Sequence, residues 1–516
     1  MWKNASIRSV FVALIVLLAP AILSGQSKRP NIIFILSDDH TSQAISVYGN
    51  RYVQTPNIDR IAHEGILFNH AMVTNSICGP SRATLLTGKY SHKNGYPLNE
   101  KQFDNTQRTF PGILQQNGYQ TAWIGKMHLG TLPGGFDYFN ILPGQGKYYN
   151  PDFIATPNDT VRMNGYVTNI ITDLSVSWLN RRDTTRPFML IVGEKATHRE
   201  WLPDIPDLGA YDSINFPLPA TFDDHYKGRP AAGQQDMTVA KTMRLKEDLK
   251  IHLNYGKNGY GEYSRFTPEQ YASFHQYYEN KVSREFDSLH LGGEALTAWK
   301  YQRYIRDYLA TARSLDRNIG RLLRYLDSTG LAENTVVIYG SDQGFYMGEH
   351  GWFDKRFVYE ESLHTPFVMR YPGVITPGSV TNGFMLNIDW APTLLDIAGV
   401  KAPADMQGTS FMPLVNGKGD TSDWRKEMYY HYYEYPEPHH VSPHFGIRTQ
   451  RYKLVRFYGP ADYWELYDLQ KDPQELRNIY AEKSQVQNIA DLKKRLKALI
   501  IQYDDKEALE LLGDGK

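Results

Sequence analysis

The stretch Asn31-Ile32-Ile33-Phe34-Ile35-Leu36-Ser37-Asp38-Asp39 decides the fold of this chain. Its apolar run is short, unbroken and rich in β-branched isoleucine, which is typical of a strand buried on both faces of a parallel sheet. Two acidic residues follow directly at the carboxyl end, where open α/β sheets bind their ligands. The stretch therefore predicts a central parallel strand that places Asp38 and Asp39 at a functional edge of the sheet.

Comparable apolar runs recur along the chain and alternate with helical patterns. Further strands are predicted at residues 121–124, 188–192, 335–339 and 367–370. Helices are predicted at residues 57–64, 81–87, 301–326 and 390–397. This alternation predicts the α/β class, with a sheet sandwiched by helices.

The pattern changes after about residue 415. Alternating, Tyr-rich segments cover residues 428–435, 446–457 and 463–469, and a helical pattern follows near residues 485–502. We therefore predict a smaller C-terminal subdomain over residues 416–516, an antiparallel sheet with one packed helix. The main domain is predicted over residues 26–415, and its Pro-, Tyr- and Asp-rich part, about 200–293, reads as a covering insertion.

Composition and the first residues limit the class of protein. The 516 residues carry 56 Lys and Arg against 56 Asp and Glu and are 41% apolar, which excludes disordered and collagen-like chains and general nucleic-acid binders. Residues 1–25 read as a signal peptide, because Lys3 and Arg8 precede an apolar run that is shorter than the ~20 residues needed to span a bilayer. No Cys follows to carry a lipid anchor. We expect an exported protein, periplasmic or secreted, without a stable membrane anchor.

The only cysteine, Cys78, has no partner for an intramolecular disulfide. It precedes Gly79-Pro80-Ser81-Arg82, a tight turn in which Pro80 or Ser81 is suited to begin a helix that Gly88 ends. Residue 78 then faces the positive end of a helix dipole, with Arg82 about one turn away, and this environment binds tetrahedral anions. The alternative is an inert, buried thiol.

Other polar residues follow the predicted strands. Asp38 and Asp39 end one strand, and Asp342 and Gln343 end another, so hard oxygen ligands suited to Ca²⁺ gather at one edge, unless these residues only cap helices or turns. Lys126 and His128 follow the strand at residues 121–124 and face the same side if the chain stays extended.

The segment Cys78-x-Pro-Ser-Arg82 followed by Leu-Thr-Gly88 resembles the signature of the type I, formylglycine-dependent sulfatases, and the resemblance extends from about residue 29 into the C-terminal segment. It implies an alkaline-phosphatase-like mixed sheet. It also implies that a maturase oxidises Cys78 to formylglycine (3-oxoalanine), whose hydrate is the nucleophile. Calcium would be held by four residues, in which Gln343 replaces the usual Asn: Asp38, Asp39, Asp342 and Gln343.

The resemblance also assigns roles to the remaining site residues. Arg82, Lys126 and Lys355 would neutralise the sulfate, and Lys126 would also hold the hydrate. His128 would act as the base that collapses the sulfated intermediate, and Asp342 would take a proton from the attacking hydroxyl. His198 is the candidate general acid, although its flanking residues depart from the family's Pro-His form, and His225 is the alternative.

Segments outside this signature suggest the substrate. The runs 344–356, 431–436 and 443–448 are similar to bacterial polysaccharide sulfatases, nearest to the N-acetylglucosamine-6-sulfatases of heparan-type glycosaminoglycan breakdown. Asp354 and His444 are candidate substrate-binding residues, while the Tyr-rich run also fits plain sheet packing. Three alternatives stay open: a sulfatase for algal or mucin glycans, a metal-dependent phosphohydrolase of the same architecture, and an inactive secreted glycan-binding protein.

Overall fold

A computed structural model describes residues 29–253, 261–416 and 421–513, so the predicted signal peptide lies outside the described residues. The α-helices of the described chain are α1 (Pro56–His63), α2 (Cys78–Thr87), α3 (Ser91–Asn94), α4 (Phe110–Gln116), α5 (Val167–Arg181), α6 (Pro230–Gln234), α7 (Pro268–Phe274), α8 (Arg284–Leu289), α9 (Gly293–Ser328), α10 (Glu360–Leu363), α11 (Trp390–Ile397), α12 (Met412–Val415), α13 (Val486–Gln502) and α14 (Lys506–Leu512). In the described residues no helix has both the length and the apolar composition to cross a membrane.

The strands of the described chain are β1 (Asn31–Ser37), β2 (Ile66–Phe68), β3 (Ala71–Met72), β4 (Gln120–Lys126), β5 (Tyr138–Leu142), β6 (Asp152–Ala155), β7 (Asp159–Arg162), β8 (Phe188–Gly193), β9 (Thr335–Ser341), β10 (Tyr346–Met347), β11 (Phe353–Asp354), β12 (Phe367–Arg370), β13 (Ser379–Thr381), β14 (Met385–Leu386), β15 (Glu427–Tyr432), β16 (His444–Thr449), β17 (Tyr452–Phe457) and β18 (Tyr463–Asp468).

Ten strands form one mixed sheet in the order β13-β2-β12-β9-β1-β8-β4-β5-β6-β7. The predicted strand β1 lies near its centre and runs parallel to both neighbours, β8 and β9. All five predicted strands of the main domain are present as β1, β4, β8, β9 and β12. The last of these, β12, runs antiparallel to β9, so the sheet is mixed.

Alternate residues of β1 enter different cores, as the two-residue period of a strand requires. Ile33 and Ile35 pack in one apolar cluster with α1, α5 and α9, whereas Ile32, Phe34 and Leu36 pack in another with α2, α4 and α11. Helices therefore cover both faces of the sheet. This explains why the strand sequence is apolar at every position and shows no polar alternation.

The C-terminal part forms the predicted separate antiparallel sheet, in the order β15-β16-β17-β18, with α13 packed on it. The prediction of one segment over residues 446–457 was wrong, because it holds two strands. The hydroxyl of Thr449 accepts a hydrogen bond from the Tyr452 N–H at 2.9 Å and closes a tight turn between β16 and β17. A polar side chain thus made the reversal without a Gly or Pro signal.

Candidate active site

The register of β1 and β9 brings Asp38, Asp39, Asp342 and Gln343 together, and we call this group the acidic edge. Ser37 lies directly opposite Ser341, so the residues that follow each strand meet. The Asp39 N–H donates to Asp342 Oδ1 at 3.1 Å. The predicted meeting of the two acidic pairs is therefore confirmed by the sheet itself.

Asp39 is held in a left-handed backbone conformation, with φ of 61°. Its carbonyl oxygen accepts hydrogen bonds from the hydroxyls of Tyr308, at 2.6 Å, and Thr197, at 3.0 Å. The Tyr308 hydroxyl also accepts from the Thr41 N–H at 3.0 Å. The long helix α9 therefore fixes the peptide that orients the Asp39 carboxylate.

Cys78 is the first residue of α2, two or three positions earlier than the predicted helix start at Pro80 or Ser81. Its Sγ lies 3.3 Å from Asp38 Oδ1 and 3.6 Å from Gln343 Nε2, and the side chain is buried. Burial raises the pKa of the Cys78 thiol to about 12, and this outweighs the cations nearby. The thiol therefore stays protonated near neutral pH and is a weak nucleophile in its own right.

Gly79 and Ser81, which lie close to Cys78 in α2, both make tight contacts with other parts of the chain. A Cβ on Gly79 would lie 2.7 Å from both the Asn99 and the Tyr96 side chains, so only glycine fits this close approach. Ser81 Oγ donates to the Asp342 carbonyl oxygen at 2.5 Å. No local signal in the sequence indicates this role of Ser81, because its partner lies 261 positions away.

Three buried cations surround the acidic edge. Arg82 Nε lies 2.9 Å from Asp342 Oδ2, and Lys355 Nζ lies 2.7 Å from Asp39 Oδ2. Lys126 Nζ pairs with Asp38 and donates to Gln145 Oε1 at 2.5 Å. The positive charges of these three residues equal the negative charges of the three Asp carboxylates.

Burial acts on the pKa values of these groups in different directions. It lowers the pKa of Lys126 well below its usual range. It also opposes charge on Lys355, but Asp39, Cys78 and Asp354 together outweigh burial and raise the pKa of Lys355. Burial raises the pKa of Asp39 to about 6, against the lowering effect of Lys355. The cluster is thus a set of mutually dependent charges with little contact with water.

The acidic edge fits a cation with oxygen ligands. One potential ligand atom from each of Asp38, Asp39, Cys78 and His198 lies within 4.8 Å of the others. Gln343 Oε1 is buried and has no hydrogen-bond partner among the described residues. An orphaned amide oxygen beside three carboxylates matches the hard oxygen donors that calcium takes.

The two predicted histidines both lie at this cluster. The extended chain on which Lys126 and His128 would face the same side is not present, because β4 ends at Lys126 and His128 has φ of 56°. Burial and then the charge of Lys126 hold the pKa of both His128 and His198 well below the usual value. His198 Nε2 lies 3.9 Å from Asp39 Oδ2, whereas the alternative, His225, is exposed.

The two predicted substrate-binding residues are placed differently. Asp354 lies beside the cluster, with Oδ1 3.8 Å from Lys355 Nζ and Oδ2 3.0 Å from His439 Nε2. His444 is fully buried, its Nε2 accepting from the Val358 N–H at 3.2 Å and its Nδ1 donating to the Ser442 carbonyl at 2.9 Å. Because both ring nitrogens are used, the geometry gives no support to substrate binding by His444.

Comparisons with known proteins agree with this architecture. The chain matches a family model described as Sulfatase over residues 30–400 and one described as N-sulphoglucosamine sulphohydrolase, C-terminal, over residues 348–502. The N-acetylglucosamine-6-O-sulfatase of Bacteroides thetaiotaomicron is 46% identical over 505 residues, which cover 95% of this chain and 90% of that relative.

Solved structures share the fold. One, of a protein in complex with its substrate D-glucosamine-2-N,6-O-disulfate, has a TM-score of 0.91 and 46% identity, and the match covers 94% of this chain and 100% of that chain. The phosphonate monoester hydrolase of Agrobacterium radiobacter has a TM-score of 0.67 at 20% identity, with 92% of this chain and 96% of that chain covered. The predicted fold class, an α/β mixed sheet between helices with a small C-terminal antiparallel sheet, is confirmed.

Proposed function

This chain belongs to the sulfatase family of sulfuric ester hydrolases, and from that premise we propose that it removes the 6-O-sulfate from glucosamine units of heparan-type glycosaminoglycans. The observation that carries the proposal is the placement of residue 78 among three carboxylates, one amide oxygen and three buried cations. Support for the sugar comes from a curated relative at 46% identity that is named for this sulfate and from a solved structure at 46% identity that holds a 6-O-sulfated glucosamine.

We propose that a maturase converts Cys78 to formylglycine before the enzyme works. The buried thiol, with its raised pKa, is poorly suited to attack an anionic ester. The hydrated aldehyde would supply two hydroxyls on one carbon, one to attack sulfur and one to expel sulfate afterwards. The first turn of α2 places this position beside the cluster, at the positive end of the helix dipole.

Calcium, held by Asp38, Asp39, Asp342 and Gln343, would supply positive charge at the sulfate oxygens. Because the three Asp carboxylates and three cations of the chain cancel, two further positive charges leave the site cationic and able to accept a sulfate ester. Lys126 pairs with Asp38 and Lys355 pairs with Asp39, and both of these carboxylates lie within 4.0 Å of Cys78 Sγ. The two lysines would neutralise the sulfate oxygens as charge develops.

Two neutral imidazoles would move the protons. His198 would protonate the sugar oxygen that leaves sulfur, using Nε2, since its Nδ1 is bonded to the Arg199 carbonyl at 2.6 Å. His128 would take the proton from the second hydroxyl of residue 78, and its buried Nδ1 has no hydrogen-bond partner among the described residues. The low pKa of His128 suits a base. The pKa of His198 is also held low in the chain alone, so its role as the acid requires the negative charge of a bound sulfate ester to raise that pKa.

Sulfate release from 6-O-sulfated N-acetylglucosamine, measured beside the 3-O-sulfated isomer and the 6-phosphate, tests the function. We expect release from the 6-O-sulfate at a rate at least a hundredfold above the other two. Asp342→Ala should lose the activity. Preferred release of phosphate would instead support a phosphohydrolase, and binding of the sulfated sugar without release would support a glycan-binding protein.

Export remains part of this proposal. The basic and apolar character of residues 1–25 supports a signal peptide, and a sulfated polysaccharide is a substrate met outside the cytoplasm. The mass of the mature N-terminus from a periplasmic fraction would test it, and retention of residues 1–25 would contradict it.

A further inference from the structure

Lys195 is a buried cation that the proposed mechanism does not use. It follows β8, and only 2% of the residue is exposed. Its Nζ donates to the Gln145 carbonyl oxygen at 3.2 Å and lies 4.7 Å from the centre of the Tyr148 ring. Within the described residues it has no carboxylate within 4.0 Å, whereas the buried Lys250 pairs with Asp307 at 3.1 Å.

The structure ties Lys195 to the reacting groups. The backbone carbonyl of Gln145 binds Lys195, and the side chain of the same residue binds Lys126. Tyr148, which carries Lys195 on its ring face, donates its hydroxyl to the His198 carbonyl at 2.6 Å. The His198 N–H in turn donates to the Lys195 carbonyl at 3.0 Å. Lys195 therefore lies on the His198 side of the cluster, where the sugar would leave.

The charge on Lys195 has no ion-pair partner within 4.0 Å among the described residues, and Glu262, Glu200 and Asp39 act on it only from a greater distance. Of its three N–H donors, one has a hydrogen-bond acceptor among the described residues. The nearby acid Glu262 is committed to the Tyr148 N–H, with Oε2 at 2.7 Å. Burial lowers the pKa of Lys195, which is the cost of holding this charge without a partner. A bound anion would remove that cost.

We propose that Lys195, seated on the face of Tyr148, forms an anion subsite that binds a second sulfate of the substrate sugar, the N-sulfate of a 6-O-sulfated glucosamine. This inference rests on the proposed function and extends it to substrate choice. The two unused donors of Lys195 hydrogen-bond the N-sulfate oxygens, and an N-acetyl group in the same place offers no charge. The enzyme therefore prefers the disulfated sugar.

The test compares kcat/KM for glucosamine-2-N,6-O-disulfate and for N-acetylglucosamine-6-sulfate. In Lys195→Met we expect the disulfate to lose about tenfold or more relative to the N-acetyl sugar, mainly through KM, as for a lost hydrogen bond to a charged group. Lys195→Arg should retain most of the preference. Lys147→Met, which removes a half-buried lysine of the same region, is the matched control and should leave the ratio of the two substrates within about twofold.

Two results would overturn the subsite. One is an unchanged ratio of kcat/KM for the disulfate to kcat/KM for the N-acetyl sugar in Lys195→Met, and the other is an equal fall of this ratio in Lys147→Met. If that ratio is unchanged because both substrates lose equally, the subsite is refuted and Lys195 acts as a positioning residue. Calorimetric titration with glucosamine-2-N-sulfate, which lacks the scissile ester, separates this inference from the proposed function. We expect about tenfold weaker binding by Lys195→Met even if neither sugar is hydrolysed, and equal binding by the two proteins would refute the subsite.

Discussion

Lys355→Met is the substitution that best probes the charge balance of the cluster. It removes the ammonium that lies 2.7 Å from Asp39 Oδ2, and it keeps the length of the side chain. Both partners are almost fully buried, so the Asp39 carboxylate would be left without its cation. Burial already raises the pKa of Asp39 to about 6, and without Lys355 it rises further, so Asp39 takes up a proton near neutral pH.

The size of the effect follows from this geometry. Removing one partner of a buried ion pair costs about 3–5 kcal/mol, and protonation of Asp39 places the expected loss of unfolding free energy at the lower end, about 3 kcal/mol. Lys89→Met is a matched control, because Lys89 Nζ also lies 2.7 Å from a carboxylate, Asp405 Oδ2, but at a more exposed position. Its expected loss is at most about 1 kcal/mol.

Denaturant unfolding of Lys355→Met, Asp39→Asn and the double variant measures the coupling. We expect the double variant to lose less unfolding free energy than the sum of the two single losses, by more than about 1 kcal/mol. Activity should stay at least about a hundredfold down in all three, because Lys355→Met removes a cation from the sulfate and Asp39→Asn removes a proposed calcium ligand, whether or not the fold is repaired. Additive stability losses, or a Lys355→Met variant as stable as Lys89→Met, would refute the reasoning.

Three further outcomes follow from the same structure. Burial raises the pKa of Glu194 from 4.5 to about 8, so the folded protein holds a proton that the unfolded chain releases, and stability falls as pH rises through this window. Glu194→Gln should therefore add on the order of 4 kcal/mol at pH 8 and nothing at pH 4, and a pH-independent difference in thermal melts would contradict this. Tyr308→Phe removes the hydroxyl that holds the Asp39 carbonyl, and should cost about 1–3 kcal/mol and weaken calcium binding in titrations, whereas unchanged calcium affinity would exclude the clamp. Chelation of calcium should abolish sulfate release and lower the melting temperature, with both restored by calcium, and full activity in excess chelator would contradict the metal assignment.

The fold could be predicted from the sequence where the signals are local. The apolar run of β1 and its terminal acids predicted a central strand and a functional edge, because burial on both faces requires apolar side chains at every position. The Cys78 segment likewise predicted a helix that ends at Gly88, whose φ of 63° suits glycine.

The rest depended on distant contacts or on backbone angles that residue type does not reveal. The start of α2 at Cys78 rather than Pro80 or Ser81 follows partly from contacts with Asn99 and Asp342. The left-handed backbone conformation of His128 could not be predicted, because glycine, the residue that usually indicates it, is absent at this position. The roles of Lys195 and Tyr308 arise from neighbours 50 and 269 positions away, which periodicity cannot indicate.

The chemical state of residue 78 tests the central claim most directly. Preparations with graded conversion, obtained by varying maturase co-expression, allow the mass of the peptide carrying residue 78 and the rate of sulfate release to be measured on the same samples. We expect a rate proportional to the aldehyde fraction and no release by Cys78→Ala. A full rate from protein in which residue 78 is entirely thiol would contradict this expectation.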